Sequence, residues 1–340
     1  MAGTADRQAG RDDRRCRRRR FGAWLAIGLL AATVRPAAQT RVIRVGLLRP
    51  TSPPPGGDVM ATELPRALRE LGYDEGRNLQ FIPRYADGRA DELPRLASEL
   101  VVAGCDVIVA ISLPAARAAK AATTSIPIVV FGNFDPVALG LVPDLARPGG
   151  NLTGVLIAPD GTLAAKRLEL LRDMVPGAAR IGFLAHDDAG FRSQEAETRA
   201  AAGRIGIELV VATVSGGNYE RAFAVLAERR PAALLVGAST FFMADRKRII
   251  ALAAKHRLPA IYEWPEQVAD GGLMSYGARL PEAYRRIAAY IDQIVRGRRP
   301  GDLPLERPAK LDLVLNLRTA QALGLSIPPA LLARADEVRQ

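Results

Sequence analysis

The sequence alternates short apolar runs with segments whose apolar residues recur at helical spacing. The run "VIRVGLL" (Val42–Leu48) has strong β propensity, and Leu64 and Leu68 lie on one face of a helix that ends near Gly72. The run "DVIVAIS" (Asp106–Ser112) is continuously apolar, as is typical of a strand that a parallel sheet buries on both faces. Strands that alternate with helices in this way predict an α/β fold with a doubly wound parallel sheet.

The alternation occurs twice along the chain. Four predicted strands and their helices extend as far as "PIVVFG" (Pro127–Gly132), and a second series begins at the helix Leu163–Met174. The segment Asp135–Leu156, rich in glycine and proline, separates the two series, and we interpret it as a crossing between lobes. The segment "GGLMSYG" (Gly271–Gly277) is interpreted as the return crossing. The sequence therefore predicts two doubly wound parallel-sheet lobes joined by a hinge.

The first 38 residues differ in kind from the rest. They combine a cluster of arginines, an apolar run of 14 residues (Phe21–Val34) and small residues at Ala37 and Ala38, which is the pattern of a secretory signal peptide. The apolar run is shorter than the roughly 18–20 residues that a membrane-spanning helix needs. We expect a periplasmic protein exported by a Sec or twin-arginine signal, with an uncleaved N-terminal anchor as the alternative.

These patterns divide the chain into a signal peptide and two lobes. The expected boundaries are residues 1–38 for the signal peptide, 39–155 with a return segment of about 278–303 for the first lobe, and 156–277 with a C-terminal segment of about 304–340 for the second lobe.

Charge and motif content exclude several classes of function. Residues 1–38 hold nine Arg and three Asp, so a net charge of only +5 of the formal +11 lies beyond them, which is too mild to indicate nucleic-acid binding. The G-x-S-x-G, P-loop, G-x-G-x-x-G and H-E-x-x-H motifs are absent. Two histidines, with Cys105 as the one cysteine beyond the signal peptide, are too few for an ordinary zinc site. We expect no catalytic residue, no metal and no cofactor.

Polar side chains follow many of the predicted strands. Ligands of open α/β sheets bind beyond the carboxyl ends of the strands, and two facing lobes bring those ends to one cleft. Hydroxyl and amide groups orient a small polar ligand, and helix N-termini behind them favour a carboxylate. The residues predicted to bind the ligand in this cleft are Ser52, Ser112, Asn133, Asp135, Thr153, His186, Ser239, Thr240, Tyr262, Glu263 and Tyr276.

Some of these residues have a purely structural alternative. Ser112 and Ser239 could serve only as helix N-caps, and Asp135 could serve only to form a turn. Of the neighbouring aromatic residues Tyr262 and Trp264, we place Tyr262 in the cleft.

Several long segments of the sequence resemble the ABC transporter substrate-binding protein family, whose better-known members bind tryptophan or other aromatic amino acids. The segments are "LRELGYDEGRNLQFIPRYADG" (Leu68–Gly88), "FDPVALGLVPDLARPGGNLTGV" (Phe134–Val155), "KRLELLRDMVP" (Lys166–Pro176), "HRLPAIYEWPEQVADGGLMSYG" (His256–Gly277) and the C-terminal stretch Leu303–Val338.

This resemblance implies a type I periplasmic-binding fold and a role in solute transport. A small-molecule solute would be delivered to an ABC permease that works with a separate ATPase subunit, and the protein would meet the membrane only through that permease. The resemblance maps the family's cleft residues to Asn133–Asp135, Thr153, Ser239, Tyr262–Glu263 and Tyr276. We expect a monomer. The alternatives are a ligand-sensing periplasmic domain for a membrane signalling receptor and a secreted α/β enzyme.

Overall fold

The structure is a computed structural model that describes residues 41–53, 58–157, 162–187 and 189–340. The predicted signal peptide lies outside the described residues. None of the described helices is both long and apolar enough to cross a membrane. The same residues contain no group of His, Cys, Asp and Glu side chains that could hold a metal ion.

Strands and helices alternate through most of the described chain. The strands are β1 (Ile43–Arg49), β2 (Leu79–Tyr85), β3 (Val107–Ile111), β4 (Ile128–Gly132), β5 (Leu152–Leu156), β6 (Arg180–His186), β7 (Glu208–Val214), β8 (Ala233–Val236), β9 (Ala260–Tyr262), β10 (Met274–Gly277), β11 (Leu305–Glu306), β12 (Asp312–Asn316) and β13 (Glu337–Arg339). The α-helices are α1 (Val59–Glu70), α2 (Leu93–Val102), α3 (Leu113–Ala122), α4 (Thr162–Met174), α5 (Ala189–Arg204), α6 (Tyr219–Arg229), α7 (Thr240–Ala244), α8 (Arg246–Lys255), α9 (Pro265–Ala269), α10 (Leu280–Val295), α11 (Leu317–Ala322) and α12 (Pro329–Arg334).

The strands form two separate sheets. The first has the order β11-β5-β4-β3-β1-β2, and all of its pairs are parallel. The second has the order β13-β12-β10-β9-β8-β6-β7, and it is parallel except for the antiparallel pair of β10 with β12. Each sheet with its helices is a lobe, so the predicted fold class of two doubly wound α/β lobes joined by a hinge is confirmed.

The first lobe is completed by a helix from late in the chain. On one face of its sheet, α1 packs beside α10, and Leu64 and Leu68 share a buried apolar cluster with Tyr284, Ile287 and Ile291. Helices α2 and α3 cover the other face with a second apolar cluster. This arrangement buries β1, β3 and β4 on both faces, which explains their continuous apolar sequences.

The predicted crossing at Asp135–Leu156 is wrong in its position. Its last five residues form β5, which pairs in parallel with β4 inside the first sheet. The glycine pair before β5 lies at its amino end, where the Gly149 amide donates to the carbonyl of Gly301 at 3.1 Å. Strand β5 is short and contains a glycine, Gly154, so its sequence predicts a strand only weakly. The segment Gly271–Gly277 likewise ends in a strand, β10, of the second sheet.

The order of the described strands in the two sheets requires three passages of the chain between them. These passages follow β5, β10 and β11. Several chain connections between two compact sheets restrict the motion of the lobes to a hinge-like opening and closing.

Candidate ligand-binding site

A pocket lies between the lobes at the carboxyl ends of the strands. It is lined by residues that directly follow β3, β4 and β5 in the first sheet and β8 and β9 in the second sheet, and it holds about 480 Å³ of space, part of which is open to solvent. We call this pocket the main compartment. Its lining includes Ser112, Phe131, Asn133 and Phe134 from the first lobe, and Phe191, Ser239, Thr240, Phe241, Glu263 and Trp264 from the second.

Aromatic rings form much of the wall of the main compartment. Both lobes contribute them, and the Phe241 ring is itself stacked on the imidazole of His186, with ring centroids 4.2 Å apart. Aromatic rings gain energy from offset or edge-on contact with other flat rings. The wall therefore offers contact surface to a flat, largely apolar solute.

Unpartnered polar atoms interrupt this aromatic wall. Ser112 Oγ, Thr240 Oγ1 and Trp264 Nε1 are buried, and none of them has a hydrogen-bond partner among the described residues. The buried carboxylate of Glu263 also lines the pocket and is ion-paired with Arg167. Buried polar atoms in folded proteins are nearly always hydrogen-bonded, because burying them unpaired is costly. A polar ligand bound in this pocket would supply partners for these atoms.

Ser112 holds a strained backbone at the edge of this compartment. Its φ of 85° and ψ of 164° belong to a region that glycine adopts readily and other residues rarely do. It is the residue before α3, but its side chain forms no capping hydrogen bond. The strain instead places its hydroxyl in the pocket beside the first turn of a ten-residue helix, where the helix dipole favours negative charge.

A glycine at position 112 should increase the stability of the protein and weaken its binding of the ligand. We expect Ser112→Gly to raise the free energy of unfolding by about 1 kcal/mol, because glycine adopts a positive φ without steric cost. The same variant should weaken ligand binding about tenfold through the loss of one hydroxyl contact. Ser112→Ala is the matched control, since it removes the hydroxyl and keeps the strain. Denaturant unfolding and calorimetric titration measure the two effects, and equal stability of both variants would contradict the strain argument.

Glu263 lines the main compartment, and its ion-pair partner contacts the end of β10, where the chain passes to the first lobe. Its carboxylate lies 3.3 Å from the guanidinium of Arg167 in α4, and their side chains are only 1% and 3% exposed. Arg167 Nε also donates to the carbonyl of Tyr276, one residue before the chain leaves the second sheet, at 2.8 Å. Burial raises the pKa of Glu263 to about 7, and the neighbouring Arg167 limits the rise. The pair thus links a pocket residue to the second passage between lobes.

Five of the residues predicted from the sequence line the main compartment together: Ser112, Asn133, Ser239, Thr240 and Glu263. Ser239 also caps α7, because its Oγ accepts from the Phe241 amide at 3.1 Å.

Two further predicted residues, Ser52 and His186, line an outer pocket at the mouth of the cleft. Ser52 donates to Asp87 there, and His186 lies at the end of β6. The outer pocket and the main compartment share Phe241, so these two residues face the entrance of the cleft and do not line the main compartment.

Asp135 and Thr153 are not brought to the main compartment. The Asp135 carboxylate accepts from the amides of Val137 and Ala138 at 2.9 and 3.0 Å, so it stabilises a turn. Thr153 is fully buried within β5, and its hydroxyl donates to the carbonyl of Leu303 at 2.9 Å. Both polar groups are therefore used within the first lobe.

The placement of Tyr262 in the cleft requires a correction. Strand β9 ends at Tyr262, whose ring belongs to the buried core of the second lobe. The backbone then turns into α9, and Trp264, the residue before that helix, faces the main compartment. Strand alternation cannot be extended past the last residue of a strand, so the sequence could not decide between the two rings. Tyr276 lies in β10 and packs against the cores of both lobes.

A second pocket adjoins the main compartment between the lobes. Phe131, Thr240 and Trp264 line both of them, and the second pocket holds about 460 Å³ of space. We call it the side compartment. Its other lining residues include two arginines, both in ion pairs, and neither was predicted from the sequence. The pairs are Arg49 with Asp58, and Arg246 with Asp270 at 2.6 Å.

Two lobes around a pocket of aromatic rings and unpartnered polar groups define a solute-binding protein of the periplasmic type. Residues 54–339 match the model of the ABC transporter substrate binding protein family, and the chain belongs to that family. Proteins of this family act outside the cytoplasm, where they bind small solutes for ABC permeases.

Three relatives illustrate the similarity. The chain is 26% identical over 262 residues to a tyrosine-binding protein of Clostridioides difficile. This alignment covers 76% of the chain and 75% of the relative. It is 28% identical to a conserved domain protein of Vibrio cholerae, with a TM-score of 0.81 over 88% of this chain and 100% of that one. It is 25% identical to an ABC domain of Streptococcus pneumoniae in complex with L-Trp, with a TM-score of 0.78 over 87% and 99% of the two chains.

Proposed function

We propose that this protein is a monomeric periplasmic binding protein that captures an aromatic amino acid, or a closely related aromatic carboxylate, and delivers it to an ABC permease. The observation that carries the proposal is the main compartment, where aromatic walls enclose unpartnered buried polar atoms. In the proposed role the protein performs no catalysis. The names of two relatives, one tyrosine-binding and one in complex with L-Trp, support this class of ligand.

Each part of such a solute has a counterpart in the pocket. The carboxylate would lie against the Ser112 hydroxyl, Asn133 and the first turn of α3, where hydroxyl and helix-dipole interactions favour an anion. The ammonium would lie against the carboxylate of Glu263, which it would share with Arg167. The ring would lie between Phe134 and Trp264, on opposite lobes.

Contacts of the ligand with both lobes would allow a permease to distinguish the loaded protein from the empty one. A ligand that touches both walls binds the closed form more tightly than the open form, so it shifts the population towards closure. The permease would then recognise the closed form as the loaded state.

A thermal-shift and calorimetric screen tests the proposal. We expect at least one of L-tyrosine, L-tryptophan and L-phenylalanine to raise the Tm by about 5 °C or more at a concentration one hundred times its Kd. The matched comparisons are L-leucine, which lacks the ring, and 3-phenylpropionate, which lacks the ammonium of L-phenylalanine. The proposal fails if no aromatic solute binds, or if L-leucine binds as tightly as the aromatic amino acids.

A further inference from the structure

The side compartment contains buried polar groups that the proposed mode of binding leaves without a role. Arg49 is 7% exposed and Trp264 is 3% exposed, and Arg49 Nε and Trp264 Nε1 have no hydrogen-bond partner among the described residues. The same holds for Thr240 Oγ1, which is buried at the boundary between the two compartments. These groups come from both lobes and line one compartment.

The hydrogen-bonding capacity of these three side chains indicates which group of a ligand they would bind. The Arg49 Nε–H and the Trp264 Nε1–H can only donate a hydrogen bond, whereas the Thr240 hydroxyl can donate or accept. A neighbouring Nη of Arg49 is occupied by Asp58, which also balances the charge of the guanidinium. A group that satisfies all three must present an oxygen that accepts hydrogen bonds.

We propose that the side compartment is a specificity subsite for a ring hydroxyl, whose oxygen accepts hydrogen bonds, at the far end of the aromatic solute. This inference rests on the proposed function, and it narrows the solute class to aromatic compounds with polar groups at both ends. Phe131, Thr240 and Trp264 line both compartments, so a ring held in the main compartment can project its far substituent into the side compartment. Apolar walls that include Leu280 and Met243 surround that position.

A solute without the far oxygen would leave the donors buried and unpaired. Sites built to bind a hydroxyl reject the analogue that lacks it far more strongly than apolar pockets reject a missing methylene. We therefore expect the side compartment to give at least a tenfold preference for the hydroxylated member of a matched pair of solutes.

Calorimetric titration with two matched pairs tests the subsite. The pairs are L-tyrosine with L-phenylalanine, and 3-(4-hydroxyphenyl)propionate with 3-phenylpropionate. In the unaltered protein the hydroxylated member should bind at least tenfold more tightly. In Thr240→Val, Trp264→Phe and Arg49→Lys this ratio should fall to about threefold or less. Thr213→Val, on the exposed side of the edge strand β7 in the second sheet, is the matched control and should keep the ratio.

The possible outcomes separate this inference from the proposed function. Equal binding of both members of each pair to the unaltered protein overturns the subsite but leaves aromatic-solute binding intact. Binding of neither member of either pair overturns the subsite, and if L-tryptophan also fails to bind, the proposed function is overturned as well. A ratio that stays high in all three subsite variants also overturns the subsite. The ratio compares two solutes on the same protein, so a partial loss of stability would weaken the binding of both and leave the ratio unchanged. The Tm of each variant shows whether such a loss has occurred.

Discussion

Arg167→Met is expected to lower the free energy of unfolding by about 3–5 kcal/mol at pH 8, because it leaves the Glu263 carboxylate buried without its cation. The loss also includes the hydrogen bond from Arg167 to the carbonyl of Tyr276. Both side chains of the pair are almost fully buried, so water cannot replace the missing partner. Denaturant unfolding measures the effect directly.

The matched control for this variant is Arg167→Met/Glu263→Gln. Removal of both charges avoids an uncompensated buried ion, so the double variant should recover most of the loss. A double variant as unstable as the single one would show that packing, and not charge, causes the loss.

The raised pKa of Glu263 gives this pair a pH signature. The folded protein holds the Glu263 proton up to a pKa of about 7, whereas the unfolded chain releases it near the ordinary value of 4.5. The folded state therefore binds more protons between these values, and the contribution of Glu263 to stability falls as the pH rises through that window. Glu263→Gln should remove this falling contribution, and an unchanged pH profile in that variant would contradict it.

Gly154→Ala is expected to cost more than about 4 kcal/mol of stability, and the variant is expected to yield little folded protein. Gly154 has a φ of 146°, and a Cβ at this position would lie 2.1 Å from the carbonyl oxygen of Val130 in the neighbouring strand. The contact is with backbone, which cannot move aside without breaking the pairing of β4 with β5. Leu305 of β11 pairs with Gly154 on the other side, so both neighbours of β5 would be disturbed.

Gly150→Ala and Gly203→Ala provide the controls for Gly154. A Cβ at either position meets no atom within 4 Å, and neither residue has a positive φ. We expect changes within about 1 kcal/mol for both, with a small gain at Gly203 in α5 from the better helix propensity of alanine. Chemical denaturation of the three variants side by side makes the comparison, and a Gly154→Ala protein as stable as the controls would refute the steric argument.

Much of the fold could be predicted from the sequence because the buried parallel strands are continuous apolar runs. Strands such as β3 and β4 are surrounded by helices on both faces, which leaves no polar residue within them. Strand β5 escaped prediction because it contains Gly154 and follows a loop rich in glycine and proline. Its strand geometry depends on the close approach of Val130, a contact between residues distant in sequence that no local pattern contains.

The candidate site, like the fold, could be predicted only in part. Ser112, Asn133 and Ser239 could be found because the rule about the carboxyl ends of strands needs only the strand positions. Of the two unpredicted arginines of the side compartment, Arg49 also lies at the carboxyl end of a strand, and Arg246 does not. Arg49 ends β1 and points to a carboxylate nine residues later, whereas Arg246 begins α8, so only the folded chain brings them near one pocket.

The packing of α10 beside α1 has a consequence for the order of events during synthesis. About 210 residues separate the end of α1 from the start of α10, and at translation rates of about 5–20 residues per second they take about 10–40 s to make. Throughout that interval the apolar face of α1 and of the growing first sheet has no cover, because the helix that buries it does not yet exist. The first lobe therefore cannot reach its final packing until translation has passed α10, so it completes its folding later than its strands are made.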